Sequence, residues 1–76
     1  MIKEGTIVKG TNNCNDWSGM VVRSKTHNRD EVEATVCEVI LQTGTNERAI
    51  YVYVNDEFHL IKDTVSGIAP SNLEIA

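Results

Sequence analysis

The chain has 76 residues, 41% hydrophobic and 24% charged, so it holds enough Val, Ile and Leu for one core and reads as a single domain over residues 1–76. Eleven acidic against seven basic side chains leave a formal charge of −4, which opposes diffuse binding to polyphosphate without excluding a local basic patch. No apolar run approaches the roughly 20 residues that span a bilayer, and Met1-Ile2-Lys3-Glu4-Gly5 lacks an apolar signal core, so a soluble cytoplasmic protein with no membrane partner is expected.

Period two dominates wherever a period is visible, and no window sustains apolar residues at i, i+3, i+4 and i+7, which predicts an all-β chain. A first strand fits 5–9, where Thr6-Ile7-Val8 is β-branched throughout. Residues 11–16 form a polar turn-former cluster and are expected to be a long loop. A second strand runs over 19–26, with Met20, Val22 and Ser24 on one face and Val21, Arg23 and Lys25 on the other. Residues 27–30 carry the reversal. In the third strand, 31–42, Val32, Ala34 and Val36 occupy even positions and Cys37, Val39 and Leu41 odd ones. That phase change near Glu38 predicts a bulge or sharp bend. A turn at 43–46 leads to a fourth strand over 49–54, with Ile50, Val52 and Val54 opposite Ala49, Tyr51 and Tyr53. Asn55-Asp56 is a tight hairpin turn into 57–62, where Phe58 and Leu60 share a face. Pro70-Ser71-Asn72 is expected to make one helical turn before a short closing strand over 73–75.

This order resembles a small SH3-like barrel of the KOW and Tudor type. Gly5-Thr6-Ile7-Val8 followed by Trp17-Ser18-Gly19-Met20-Val21-Val22 is similar to the opening hairpin of such barrels, and Pro70-Ser71-Asn72-Leu73-Glu74-Ile75 to their final turn and strand. The resemblance implies five to six short antiparallel strands with a short helical turn before the last. An OB-type barrel would usually want a longer chain and a helix between its third and fourth strands.

Arg23, Lys25, His27 and Arg29 alternate along the second strand and its turn, so an extended chain points all four the same way. They would suit phosphate or nucleic-acid contact, as basic strands do in modules resembling this fold. Alternatively, a register placing Val22 opposite Ala34 sets Arg23 against Glu33 and Lys25 against Glu31, neutralising the row. Tyr51 and Tyr53 lie opposite the Ile50, Val52, Val54 face. If those aliphatics are the core, the tyrosines face solvent, where with Trp17 they suit partner binding or serve as cross-strand partners that cover the barrel exterior while Trp17 plugs one end of the core.

Cys14 and Cys37 are expected to be reduced, with Cys37 a buried small hydrophobe, although two cysteines could form one bridge. With His27 and His59 they lack the close ligand pairs of a zinc site, so no metal is expected. Cys14 has no basic neighbour in sequence to activate it. No carboxylate pair, nucleophile elbow or phosphate-cradling glycine loop is present, so neither enzymatic activity nor a cofactor is expected. The leading expectation is a non-enzymatic protein-interaction module, a small regulatory or inhibitory accessory protein that binds a partner protein through its outer surface. A KOW-type nucleic-acid or transcription-complex binder is the alternative, and an oligomer binding a small ligand between subunits is the third.

Overall fold

A computed structural model describes residues 2–12, 15–42 and 46–76. The described residues contain six strands and no helix: β1 (Ile7–Asn12), β2 (Asn15–Arg29), β3 (Val32–Leu41), β4 (Glu47–Val54), β5 (Glu57–Lys62) and β6 (Glu74–Ile75). They form one antiparallel sheet in the order β5-β4-β3-β2-β1-β6, curled into a half-barrel. Two hairpins set its register. Asp30 and Glu31 have φ of 51° and 65°, and Asn55 and Asp56 have φ of 52° and 62°. Positive φ at both central residues matches a two-residue turn to the right-handed twist of its strands.

The core is the concave side. Thr35, Cys37, Val39 and Leu41 point inward from β3 and meet Val8, Val21, Ala49, Tyr51 and Phe58. Ile2, Ala69 and Leu73, from the segments before β1 and before β6, close it. Thr35 is tolerated there because its hydroxyl lies 3.1 Å from that of Thr26. Gly10 faces Trp17 across the first hairpin, and Pro70 seats against it: a Cβ on Gly10 would stand 2.7 Å from Pro70 Cγ.

Four expectations are corrected. First, β3 alternates without interruption, and the register shift lies between Val21 and Arg23 of β2, opposite Glu38. The phase change sensed near Glu38 belongs to its neighbour. Second, the turn falls at Asp30-Glu31 rather than over 27–30, so Arg23 faces Glu38 and Lys25 faces Val36, not Glu33 and Glu31. Third, Asn15 and Asp16 extend β2 and Thr11 and Asn12 extend β1, where a loop was expected. Tertiary contacts override their turn preference: Asn12 Nδ2 donates to the Ile68 carbonyl at 2.9 Å. Fourth, Pro70-Ser71-Asn72 makes a bend, not a helical turn, because the buried Pro70 carbonyl accepts a side-chain hydrogen bond instead of a helical one. The remainder of the expected 11–16 loop, Asn13 and Cys14, lies outside the described residues, as do 43–45 of the turn expected at 43–46. The strand over residues 57–62 and the Asn55-Asp56 turn are found as expected.

The segment before β6 is organised by one carboxylate. Asp63 Oδ1 accepts the N–H of Thr64 at 2.7 Å and of Ala69 at 2.9 Å, while Thr64 Oγ1 accepts the N–H of Ile68 at 3.1 Å. Asp63→Ala should lower stability by about 1–2 kcal/mol, since hydrogen bonds to a charged acceptor exceed neutral ones. Asp63→Asn keeps an acceptor oxygen and should recover most of that loss in urea denaturation.

Candidate partner-binding face

Cross-strand partners share a side of the sheet, so the register lays out the convex face. Arg23, Lys25, His27 and Arg29 of β2 stand opposite Glu38, Val36, Ala34 and Val32 of β3. Glu38, Val36 and Ala34 in turn face Ile50, Val52 and Val54 of β4, which face Lys62, His59 and Glu57 of β5. The bulge opposite Glu38 does the sorting: Val21 points into the core, yet the odd-numbered residues after it point out. One inserted residue changes the phase of everything that follows.

This face has an aliphatic centre and a basic border. Val36, Ile50, Val52 and Val54 are half-buried, and none of the other described strands covers them. Glu4, Arg23, Lys25, Val36, Glu38 and Ile50 help to line a shallow hollow of about 360 Å³. Five of the seven Lys and Arg residues, Arg23, Lys25, Arg29, Arg48 and Lys62, stand on the outer side of β3, β4, β5 and the post-bulge part of β2. On these strands Glu38 and Glu57 oppose them, Glu38 held by Arg48 at 2.6 Å, and at the margins Glu4 shares a hollow with Arg23 and Lys25 while Glu47 and Asp63 share another with Arg48 and Lys62. Among the described residues, Arg23, Lys25, Arg29 and Lys62 form no ion pair. The acidic residues expected to neutralise the row, Glu31 and Glu33, instead line a separate hollow of about 350 Å³ at the hairpin tips with Tyr53 and Asp56. The outer sides of these strands therefore carry a basic excess, with acidic side chains at the margins.

The aromatic residues do not join it, which corrects the expectation that the tyrosines face solvent. Tyr51 is 0% exposed, donates its hydroxyl to the Pro70 carbonyl at 2.6 Å and meets Phe58 edge-on at 6.1 Å between ring centres. Tyr53 is half-buried on the same concave side, 4.6 Å from the Phe58 ring. Trp17 is half-buried opposite Gly10, with its enclosed Nε1 lacking an acceptor among the described residues. The reason lies in β4 itself, where both faces are apolar: Tyr51 carries a polar tip that the Pro70 carbonyl satisfies, and the smaller aliphatics are left outside. No period-two argument distinguishes two apolar faces.

Burial, and then the charge of Asp63, push the Tyr51 hydroxyl above its ordinary 10.0, and burial pushes the Cys37 thiol above its ordinary 9.0. Both groups hold their protons more tightly folded than unfolded. Their contribution to stability is thus full below those ordinary values and is lost as pH climbs above them. Thermal melts should show stability falling above about pH 9, and Tyr51→Phe should flatten the part of the fall that begins near pH 10.

Cys37 points into the core while His27 and His59 point outward, so these three do not converge; Cys14 lies outside the described residues. In comparisons with protein-family models, curated proteins and solved structures, none matches the chain.

Proposed function

We propose that the chain is a non-enzymatic protein-binding module, a small SH3-like barrel acting as an accessory to the protein it binds, with the convex side of β2 to β5 as its docking face. The observation that carries this reading is the uncovered Val36, Ile50, Val52, Val54 centre bordered by Arg23, Lys25, Arg29 and Lys62. A half-exposed aliphatic patch with a charged rim is the anatomy of a protein interface, where the apolar centre supplies affinity and the rim supplies steering. The partner surface that complements it is apolar at its centre and acidic around it.

The test is a triple variant, Arg23→Glu with Lys25→Glu and Arg29→Glu. All three side chains are exposed and lack ion-pair partners, so stability should stay within about 0.5 kcal/mol of wild type. Proteins captured by the wild-type chain should be lost, whereas Lys9→Glu, on β1 beside Glu74 of β6, should retain them. Retention of every partner by the triple variant would refute the assignment.

The basic row, which forms no ion pair among the described residues, also favours the second reading, a KOW-type nucleic-acid binder. Phosphate contacts release counterions, so that reading requires affinity falling steeply between two salt concentrations. Titration with single- and double-stranded nucleic acid should show no such binding if the aliphatic centre is the recognition element.

A further inference from the structure

The sheet has an open edge beside the basic row. β1 and the residues before it satisfy the outer edge of β2 only as far as Val21, whose N–H donates to the Thr6 carbonyl at 2.9 Å and whose carbonyl accepts from Gly5 at 2.7 Å. From residue 23 to residue 29, β2 pairs with β3 on one side and with no described residue on the other. The two-residue turn at Asp30-Glu31 makes Arg29 and Val32 a hydrogen-bonded pair, and such pairs alternate along an antiparallel ladder. Ser24, Thr26 and Asn28 therefore aim their N–H and C=O groups at the open edge, while Arg23, Lys25, His27 and Arg29 aim their side chains onto the convex face.

We infer that this edge receives an extended acidic segment of the partner as an added strand antiparallel to β2, an inference that rests on the protein-binding reading above. Main-chain hydrogen bonds to Ser24, Thr26 and Asn28 supply the pairing, and alternate Asp or Glu side chains of the incoming segment stand beside Arg23, Lys25 and Arg29. Charge decides the occupant. A second copy pairing through the same edge would set one basic row beside another, and like charges side by side on neighbouring strands are destabilising. An acidic strand turns the same row into the attraction. The edge contains no proline and its inward side chains are small and polar, so nothing in β2 blocks the approach, and Glu4 meets the row at its Arg23 and Lys25 end.

The probe is a fluorescein-labelled peptide of nine residues alternating Thr and Glu, titrated against the full chain, beside the same peptide N-methylated at every threonine and a Thr/Lys version. The alternating acidic peptide should bind, the N-methylated form at least about tenfold more weakly, and the Thr/Lys form not at all. Arg23→Glu with Lys25→Glu and Arg29→Glu should weaken the acidic peptide at least about tenfold. Amide exchange at Ser24, Thr26 and Asn28 should slow at least about tenfold when it is bound. Equal binding of the N-methylated and unmethylated peptides, without slowed exchange, would overturn the added strand and leave the convex-face reading intact. Failure of every acidic peptide while the triple variant still loses its captured proteins would also overturn the added strand alone. Only capture unaffected by the triple variant removes the protein-binding reading itself, and self-association through this edge in light scattering would replace the acidic segment with a second copy.

Discussion

Tyr51→Ala should lower stability by about 3–5 kcal/mol, because deleting a buried aromatic ring removes its transfer free energy and leaves a cavity. The ring is fully enclosed, packs edge-on against Phe58 and bonds the Pro70 carbonyl. Small domains are stable by roughly 0.05–0.15 kcal/mol per residue, so the variant should lose from about a quarter to all of the stability of a 76-residue chain. Tyr51→Phe keeps the ring and strands a buried carbonyl without its donor, at a cost of about 1–3 kcal/mol. Circular-dichroism melts should therefore rank wild type above Tyr51→Phe above Tyr51→Ala. Tyr51→Ala melting within a few degrees of wild type would place this side chain at the surface and restore it as a partner contact.

That ranking bears on how much of the molecule its sequence disclosed. The all-β class, the strand at 57–62, the Asn55-Asp56 turn and the shared face of Phe58 and Leu60 were legible, because period-two alternation fixes the element and which residues lie together. The orientation of β4 was not. Ile50, Val52 and Val54 are as apolar as Ala49, Tyr51 and Tyr53, and only the carbonyl of Pro70, nineteen residues away, settles which side is inside. The basic row was legible as a row, since Arg23, Lys25, His27 and Arg29 alternate in any strand. Whether Glu31 and Glu33 neutralise it depends on the turn, and a turn two residues later changes every pairing. Asp30-Glu31 gave a weak signal because glutamate seldom adopts positive φ. The aliphatic centre of the docking face was visible only as a surplus: two apolar faces in a chain too short to bury both.

Gly19 shows how the same sheet geometry that hides Tyr51 holds the docking face in place. Gly19 lies in β2, buried and opposite Leu41, two residues before the last residue of β2 ahead of the bulge, Val21. A Cβ there would stand 2.8 Å from the Ile40 backbone carbonyl oxygen and 3.1 Å from side-chain atoms of both Val39 and Leu41. The side chains have some freedom to turn aside, but the carbonyl belongs to the ladder and moves only with β3. Gly19→Ala should thus cost about 1–3 kcal/mol, the usual penalty for overpacking a close-packed interior. For a domain of this size each kcal/mol lowers the melting temperature by roughly 4–8 °C. The strain falls on the pairing of β2 with β3, upstream of the bulge that turns Arg23, Lys25 and Arg29 outward. If the variant accommodates the methyl by separating the two strands, amide exchange should quicken along β2 and β3 while β5 keeps its protection. A Gly19→Ala melt matching that of wild type would mean that the strands lie farther apart than this close approach requires. The phase of the basic row would then need a cause other than a tightly paired β2 bulging opposite Glu38.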